Sequence, residues 1–139
     1  MKTEGTCKVL EFSQHGDDRG QLVAIEGNID IPFEIKRMFY IYGSDNKVIR
    51  GRHANRRSKF VLINISGISK IKVSTGKKEY DFVLDCPYKG LYLDSMVWKE
   101  MYGFSEDSVL LVLASEHYDS EEYIRDYNEF LEEAGKQDV

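Results

Sequence analysis

The sequence of 139 residues predicts an all-β protein, a small sandwich or barrel followed by one C-terminal helix. Short apolar segments bounded by turn residues recur over about residues 7–115, which is typical of such folds. The hydrophobic pattern then changes to a period of about 3.6 over about residues 120–134. Hydrophobic residues make up 42% and charged residues 31%, so residues 1–139 are expected to form one globular domain.

The predicted strands follow one another at short spacing. Residues 70–74 and 79–84 alternate polar and apolar side chains on either side of a Gly-containing turn, as half-buried strands do. Residues 59–65 instead form a nearly continuous apolar run. Further strands are predicted at residues 9–12, 22–25, 37–42, 91–93, 97–101 and 109–113.

The predicted strand over residues 37–42 is rich in aromatic side chains. Because side chains alternate along a strand, Tyr40 and Tyr42 share one face, and Phe39 and Ile41 share the other. Both faces are apolar enough to line an interior. The pattern therefore leaves open which pair points inward.

The tail has the start signal of a helix. Asp119 stands at the N-cap position and Glu122 follows three residues later, as in a capping box. Tyr123, Tyr127 and Leu131 then recur at helical spacing, which predicts an amphipathic helix over about residues 120–134. This aromatic stripe is interpreted as packing against the strands.

Charge and composition exclude several function classes. The net charge of −5 argues against a nucleic acid partner, since duplex binding requires a positive field. No segment resembles a signal peptide or reaches transmembrane length, which predicts a cytoplasmic protein without a membrane partner. Cys7 and Cys86 are then expected as free thiols. Six Lys and Arg residues between positions 47 and 59 form either a solvated face or an anion site.

His53 is the main candidate for chemistry. Residues 51–59 have the form of the metal-binding motif of cupin barrels, in which two alternating histidines are followed by a Glu. Here Asn55 takes the second His position and Lys59 the Glu position, and an ammonium group repels a divalent cation. Because His53 and Asn55 alternate, both are expected to face the lumen. An imidazole without a metal favours proton transfer, and no metal or other cofactor is predicted.

Lys99 stands where a second cupin motif places its remaining His ligand, which is a further argument against a metal site. Its ammonium group is interpreted either as a stabiliser of a developing enolate or a phosphate oxygen, or as a surface lysine. Arg19 precedes a strand, and Arg37 opens the aromatic one. Either arginine could reach a ligand or point to solvent.

Several separated blocks resemble the sugar-nucleotide 3,4-ketoisomerases, jelly-roll cupins that act on dTDP-4-keto-6-deoxy-D-glucose. The blocks are residues 19–22, 31–37, 50–54, 90–101, 111–119 and 123–127. The resemblance implies a metal-independent isomerase that moves a ketone from C4 to C3 through an enediol, in deoxysugar biosynthesis for O-antigen or another surface polysaccharide. It also implies a dTDP-linked keto sugar as partner and a homodimer with exchanged strands.

The resemblance assigns the role of shuttling base to His53. Arg19 and Lys99 are expected to polarise the keto sugar or steer reprotonation at C4. Arg19 matches members that form the galacto product, whereas Lys99 replaces a His or Arg. The expected substrate-binding residues are Arg37 for the diphosphate, Asn55 for a sugar oxygen, Tyr40 for a hydroxyl contact, and Trp98 and Tyr92 for the nucleotide end.

Two further positions depart from the family pattern. Asn55 replaces a second His, and Phe39 replaces a Tyr that assists proton handling, although Phe cannot hydrogen-bond. The configuration of the product at C4, the nucleotide and the downstream pathway therefore stay open. Two alternative functions also stay open, namely a related dTDP-sugar epimerase and a non-catalytic cupin that binds sugar nucleotides.

Overall fold

The computed structural model describes residues 6–137, with side chains to residue 135, and this part of the chain contains twelve strands. A 3-10 helix at Ser120–Glu122 and the α-helix α1 at Tyr127–Gln137 follow the eleventh and twelfth strands, respectively. The strands are β1 (Cys7–Glu11), β2 (His15–Asp17), β3 (Gly20–Leu22), β4 (Arg37–Tyr42), β5 (Arg50–Asn55), β6 (Phe60–Ser66), β7 (Ser69–Ser74), β8 (Glu79–Leu84), β9 (Lys89–Leu93), β10 (Trp98–Tyr102), β11 (Val109–Ala114) and β12 (Tyr123–Ile124).

Ten of these strands form two antiparallel five-stranded sheets. The first sheet has the order β1–β9–β6–β11–β4, and the second has the order β12–β5–β10–β7–β8. Apolar side chains from both sheets form one core between them, including Leu62 and Val112 from the first sheet and Val73 and Met101 from the second. The predicted all-β architecture with a C-terminal helix is confirmed, with two separate sheets as its layers.

The apolar run in β6 is explained by burial on both of its faces. Leu62 points into the core between the sheets, whereas Val61 and Ile63 lie on the outer face of the first sheet. There they pack against Ile31 and Phe33, which belong to the segment between β3 and β4. The strand predicted over residues 22–25 is therefore wrong, because β3 ends at Leu22 and the chain then crosses the sheet without strand structure up to residue 26.

Helix α1 covers the outer face of the second sheet. Phe130 is fully buried there, with its ring centroid 5.8 Å from that of Trp98. Tyr127 packs edge-on against Trp98 at 5.1 Å. The prediction that the aromatic stripe of the tail packs against the strands is confirmed for Tyr127, while Tyr123 lies in β12.

The predicted start of the helix near residue 120 is wrong. Asp119 does act as an N-cap, since its side chain accepts a hydrogen bond from the Glu121 N–H, but it caps only the 3-10 helix. The α-helix begins at Tyr127, and the Asp126 carboxylate accepts from the Asn128 N–H at 2.8 Å. The capping box fails because the Glu122 side chain hydrogen-bonds to Ser58 instead of turning back to Asp119.

The edge strand β4 of the first sheet and the β2–β3 hairpin are exposed to solvent. All six hairpin residues are exposed. In the edge strand β4, Tyr40 and Tyr42 are 56% and 71% exposed on the outer face. Phe39 and Ile41 pack against the core, so this pair points inward.

Cys7 and Cys86 are free thiols, as the sequence predicts. Neither helix in residues 6–137 is long and apolar enough to cross a membrane.

Candidate active site

A cavity of about 250 Å³ opens between the two sheets. Its walls come from the inward faces of strands in both sheets and from the short strand β12. The lining side chains include Phe39, Ile41, Arg50, His53, Phe60, Leu62, Lys99, Met101, Val112 and Tyr123. The cavity therefore combines an apolar lining with one imidazole, one ammonium and one guanidinium group.

A β-bulge places His53 opposite Lys99. The β5–β10 ladder pairs Lys99 with His53 and Glu100 with Gly51, which leaves Arg52 as an extra residue in β5. Gly51 has φ +86°, and a Cβ at this position would lie 2.9 Å from the Lys99 carbonyl oxygen. Glycine is therefore required here for the bulge that sets His53 and Lys99 side by side.

His53 is held as a neutral base. Its ring centroid lies 4.8 Å from that of Tyr123, and its buried Nδ1 has no hydrogen-bond partner among the described residues. Burial, reinforced by the positive charges of Lys99 and Arg125, lowers the pKa of His53 from 6.5 to about 3, against opposing effects of the Gly51 backbone and Glu122. The imidazole is therefore unprotonated at neutral pH, which is the form that a general base requires.

Lys99 is a buried amine, not a surface lysine. It is 4% exposed, and its Nζ lies 4.5 Å from the centre of the Phe60 ring. The ammonium donates a hydrogen bond of 3.3 Å to Oδ1 of Asn55. Burial lowers the pKa of Lys99 from 10.5 to about 7, and the negative charge of Glu122 opposes this shift. Both protonation states of Lys99 are therefore accessible near neutral pH.

Behind Lys99 lies the buried carboxylate of Glu122, which is 3% exposed. It accepts hydrogen bonds from the N–H groups of Arg57 and Ser58 and from the Ser58 hydroxyl. Although burial favours its neutral form, these hydrogen bonds lower the pKa of Glu122 below 4.5. The site therefore contains a buried, ionised carboxylate.

Arginines surround Tyr123 at the wall of the cavity. Nη2 of Arg37 donates to the Tyr123 hydroxyl at 3.4 Å, and the Arg125 guanidinium lies 4.7 Å from the centre of the same ring. The guanidinium of Arg37 also lies 5.0 Å from the Phe39 ring, and its buried Nε has no hydrogen-bond partner within residues 6–137. This wall can bind an anion.

Two of the predicted site residues, Arg37 and Asn55, do not line the cavity but contact its lining residues Tyr123 and Lys99. Four more lie away from the cavity interior. Arg19 is on the exposed hairpin, where it pairs with Asp17 at 2.7 Å. Trp98 lies under α1, on the opposite face of β10 from Lys99, and donates to Glu100 at 3.1 Å. Tyr92 packs with Phe33 on the outer face of the first sheet, and Tyr40 contributes to the cavity rim from a largely exposed position.

Two of the six cations at positions 47–59 form salt bridges with acids of the C-terminal tail. Arg56 pairs with Glu133 at 2.8 Å and Arg57 with Asp119 at 2.7 Å, so these two cations fasten the C-terminal tail to the end of β5. Arg50 is the member of this segment that lines the cavity. Within residues 6–137 no group of three or more His, Cys, Asp or Glu side chains has the arrangement of a metal site.

Sequence reasoning missed Glu122 and Tyr123 as site residues, because it placed both in the C-terminal helix. A signal was present in the sequence. Tyr123 and Ile124 interrupt the polar residues that begin at Asp119. Asp126, three residues after Tyr123, offers a second N-cap. Together these features allow a short strand before the helix. The pairing of Tyr123 with Asn55 in β5 brings this strand to the cavity.

Known proteins with similar sequences and folds act on nucleotide-linked sugars. An enzyme of Aneurinibacillus thermoaerophilus named TDP-4-oxo-6-deoxy-α-D-glucose-3,4-oxoisomerase is 43% identical over 123 residues, 88% of each chain. A His-to-Asn variant of the 3,4-ketoisomerase QdtA from Thermoanaerobacterium thermosaccharolyticum, solved with TDP-4-keto-6-deoxyglucose, is 42% identical with a TM-score of 0.92, covering 94% of this chain and 95% of that one.

A second solved structure is similar to the same extent. The TDP-quinovose 3,4-ketoisomerase WlaRB from Campylobacter jejuni is 44% identical, with a TM-score of 0.88 over 91% of this chain and 97% of that one. The resemblance predicted from the sequence is confirmed by these relatives. Residues 5–135 match the family described as "FdtA: WxcM-like, C-terminal", and the chain belongs to this family.

Proposed function

We propose that the protein is a 3,4-ketoisomerase that converts dTDP-4-keto-6-deoxy-D-glucose to its 3-keto isomer in deoxysugar biosynthesis. The observation that supports this most directly is the pairing of His53 with Lys99 inside one cavity. The reaction needs a base that removes the C3 proton and returns it at C4, and a cation beside the enediol oxygens. A neutral imidazole next to a buried ammonium group meets both needs.

His53 is assigned as the proton shuttle. The C3 proton of the substrate is acidified by the neighbouring C4 carbonyl, so an imidazole can remove it and leave an enediol. Reprotonation at C4 by the imidazolium, after exchange with solvent, completes the migration of the ketone. Lys99 is assigned to the sugar oxygens, where its charge stabilises the oxyanion that develops as the C3 proton leaves.

The diphosphate is assigned to the arginines beside Tyr123. Arg37 offers a buried Nε that no described group accepts from, and a guanidinium group suits phosphate oxygens through its planar fork. Arg50 adds a further positive charge at the cavity. Asn55 is assigned to hold Lys99 instead of a sugar oxygen, because its Oδ1 already accepts from the ammonium.

The open hairpin and the apolar edge strand support a homodimer with exchanged strands. A two-stranded hairpin is marginally stable alone in water, and the outward aromatic pair Tyr40 and Tyr42 offers a surface beside the free edge of β4. We assign β2–β3 to pairing with a second copy, which would bring Arg19 to the partner's cavity.

Subunit mixing tests this arrangement. Homodimers of Arg19→Ala and of His53→Asn should both be impaired, but mixed dimers should contain one site with both native groups. Refolding equal amounts together should then restore about one quarter of the wild-type activity. No gain on mixing, with dimers present, contradicts an active site shared between subunits.

The free thiols Cys7 and Cys86 support a reducing compartment, and we assign the protein to the cytoplasm. Fractionation of the cells that produce it tests this assignment.

Isotope exchange tests the reaction itself. The purified protein is incubated with dTDP-4-keto-6-deoxy-D-glucose in D₂O, and deuterium at C3, C4 and C5 is followed by NMR together with the position of the ketone. Migration of the ketone with label at C3 or C4 supports the isomerase. Label at C5 favours an epimerase, and tight binding without exchange or migration favours a binding protein. Either of these two outcomes contradicts the proposal.

A further inference from the structure

We infer that Tyr123 is a second catalytic residue of this reaction: its hydroxyl gives a proton to O4 of the keto sugar and takes one back from O3, while His53 moves protons at the carbon atoms. The inference rests on the proposed ketoisomerase function. It assigns the proton transfers at the sugar oxygens to a residue of β12, whereas Lys99 supplies the fixed positive charge beside them.

The sheet register places three functional groups in a row on the cavity face of the second sheet. Strand β12 pairs with β5 so that Tyr123 lies opposite Asn55, two residues from His53. Aromatic side chains reach such diagonal neighbours, and the ring centroids of Tyr123 and His53 lie 4.8 Å apart. On its other side, β5 pairs with β10, which sets Lys99 opposite His53. The imidazole therefore lies between a phenol and an ammonium group, and all three line the cavity.

The Tyr123 hydroxyl has a hydrogen that no group within residues 6–137 accepts. Nη2 of Arg37 donates to the phenol oxygen at 3.4 Å, so the oxygen is the acceptor in this contact. A hydroxyl can accept one hydrogen bond while its O–H donates another. The ring otherwise contacts aromatic side chains and the Arg125 guanidinium, which has no acceptor atom. The O–H group is therefore available to a ligand in the cavity.

Tyr123 is better placed than Lys99 to give up a proton during the reaction. The Lys99 ammonium donates to Oδ1 of Asn55 and lies 4.5 Å from the centre of the Phe60 ring. Both contacts favour the charged form and would weaken if Lys99 lost its proton. Tyr123 loses no such contact, and the guanidinium of Arg37 stabilises negative charge on the phenol oxygen. Charge stabilisation is therefore assigned to Lys99 and proton transfer to Tyr123.

The proton transfers balance. As His53 removes the proton from C3, the Tyr123 hydroxyl protonates O4, and the enediol forms. As the imidazolium then protonates C4, the phenolate takes the proton from O3, and the 3-ketone forms. Both residues end in their starting states, and no other reactant is consumed. Because burial and the charge of Lys99 disfavour an imidazolium, a phenolate formed beside it offsets its charge while the enediol exists.

The test compares Tyr123→Phe, which removes the hydroxyl and keeps the ring beside His53, with Tyr118→Phe as the matched control. The Tyr118 ring lies 5.7 Å from the Tyr123 ring and 5.4 Å from the Arg37 guanidinium, so it has the same neighbours. It is 61% exposed, however, and does not line the cavity. In the assay with dTDP-4-keto-6-deoxy-D-glucose, Tyr123→Phe should lower kcat about 100-fold with KM unchanged, whereas Tyr118→Phe should leave both unchanged.

A deuterium readout separates proton transfer from a structural role. Because the enediol needs a proton at O4, exchange of the C3 hydrogen in D₂O should slow in Tyr123→Phe by the same factor as migration of the ketone. An active wild type overturns this inference alone if Tyr123→Phe keeps its kcat, changes only KM, or exchanges C3 at the wild-type rate. Loss of the fold in Tyr123→Phe, seen by circular dichroism, assigns the hydroxyl to stability and overturns it as well. A wild type that does not convert the substrate overturns the proposed function and the inference with it.

Discussion

Strands β5 and β10 present two unlike surfaces on their opposite faces. Towards the first sheet, His53 and Lys99 place an imidazole and an ammonium group in an apolar cavity, and the buried Nδ1 of His53 has no hydrogen-bond partner in the described chain. Towards α1, Ala54 and Trp98 are buried among aromatic rings. Because side chains alternate along a strand, neighbouring residues serve chemistry and stability separately. The buried polar groups of the cavity face lower the free energy of unfolding, and the apolar packing of the helix face raises it.

The sharpest test of the cavity face is His53→Asn. Loss of the proton shuttle should reduce ketoisomerisation about 10²- to 10⁴-fold. The fold should survive, because the ring makes no hydrogen bond through Nδ1 that the strand depends on. Turnover is measured by NMR of the keto sugar, and the fold by circular dichroism. Retained turnover in a folded variant would remove His53 from the mechanism.

The corresponding test of the helix face is Phe130→Ala. Phe130 is fully buried between α1 and Trp98, so its removal leaves a cavity and should cost about 3–5 kcal/mol of unfolding free energy. Urea unfolding measures this loss. Ile29→Ala, at a residue that is 73% exposed, is the matched control and should change stability by less than about 0.5 kcal/mol. Equal effects of the two changes would contradict the assigned packing.

Lys99→Met should separate the effect on stability from the effect on activity at a single residue. Replacing a buried charged group by an apolar one of similar shape should stabilise the fold by about 1 kcal/mol or more, while activity is lost. The pKa of Lys99 falls from 10.5 in the unfolded chain to about 7 in the folded one, so the unfolded state binds the proton first. The advantage of Met should therefore grow as pH falls from about 10 to 7. A constant difference across this range would contradict the burial of the amine.

The pH dependence of stability should also report on His53. Its pKa is lowered from 6.5 to about 3, so the unfolded chain takes up this proton first as pH falls. The wild type should lose stability between these two values, and His53→Asn should lose less over the same interval. Urea unfolding at pH 7, 6 and 5 measures the difference. Parallel losses in both proteins would assign the acid sensitivity to other groups.

The smallest effect is expected at Tyr92, which lies on the outer face of the first sheet. Burial and the nearby Asp94 carboxylate, to which its hydroxyl is hydrogen-bonded, raise its pKa to about 12. Tyr92→Phe should cost about 1 kcal/mol of stability through that hydrogen bond. KM for the nucleotide sugar should not change. A large rise in KM would return Tyr92 to the nucleotide site predicted from the sequence.

The sequence was sufficient to predict the class of fold and the segment that carries His53 into the cavity. Turn signals and alternation locate most strands, and the Gly51–His53 spacing identifies the segment that faces the cavity. Propensity alone misplaced the start of the C-terminal helix, because a tertiary hydrogen bond from Ser58 takes the side chain that the capping box would have used. Contacts between distant segments of this kind leave no local pattern.

The roles of single residues were harder to predict for the same reason. Lys99 and Trp98 are adjacent in sequence, and either could have faced the cavity until the register of β10 against β5 was known. Arg19 looked like a site residue, but in one copy of the chain its side chain pairs with Asp17 on the surface. Whether a second copy brings it to a cavity depends on assembly, which a linear pattern does not encode.

The short strand β12 makes the active site easier to disrupt than the fold. Glu122 and Tyr123 are carried by a tail that joins the second sheet through two β-paired residues, a few salt bridges and the packing of α1 on Trp98. Detaching this tail should require less free energy than unfolding both sheets, as local opening usually does. A bulky fusion after α1 that displaces β12 is therefore expected to impair activity before it unfolds the two sheets.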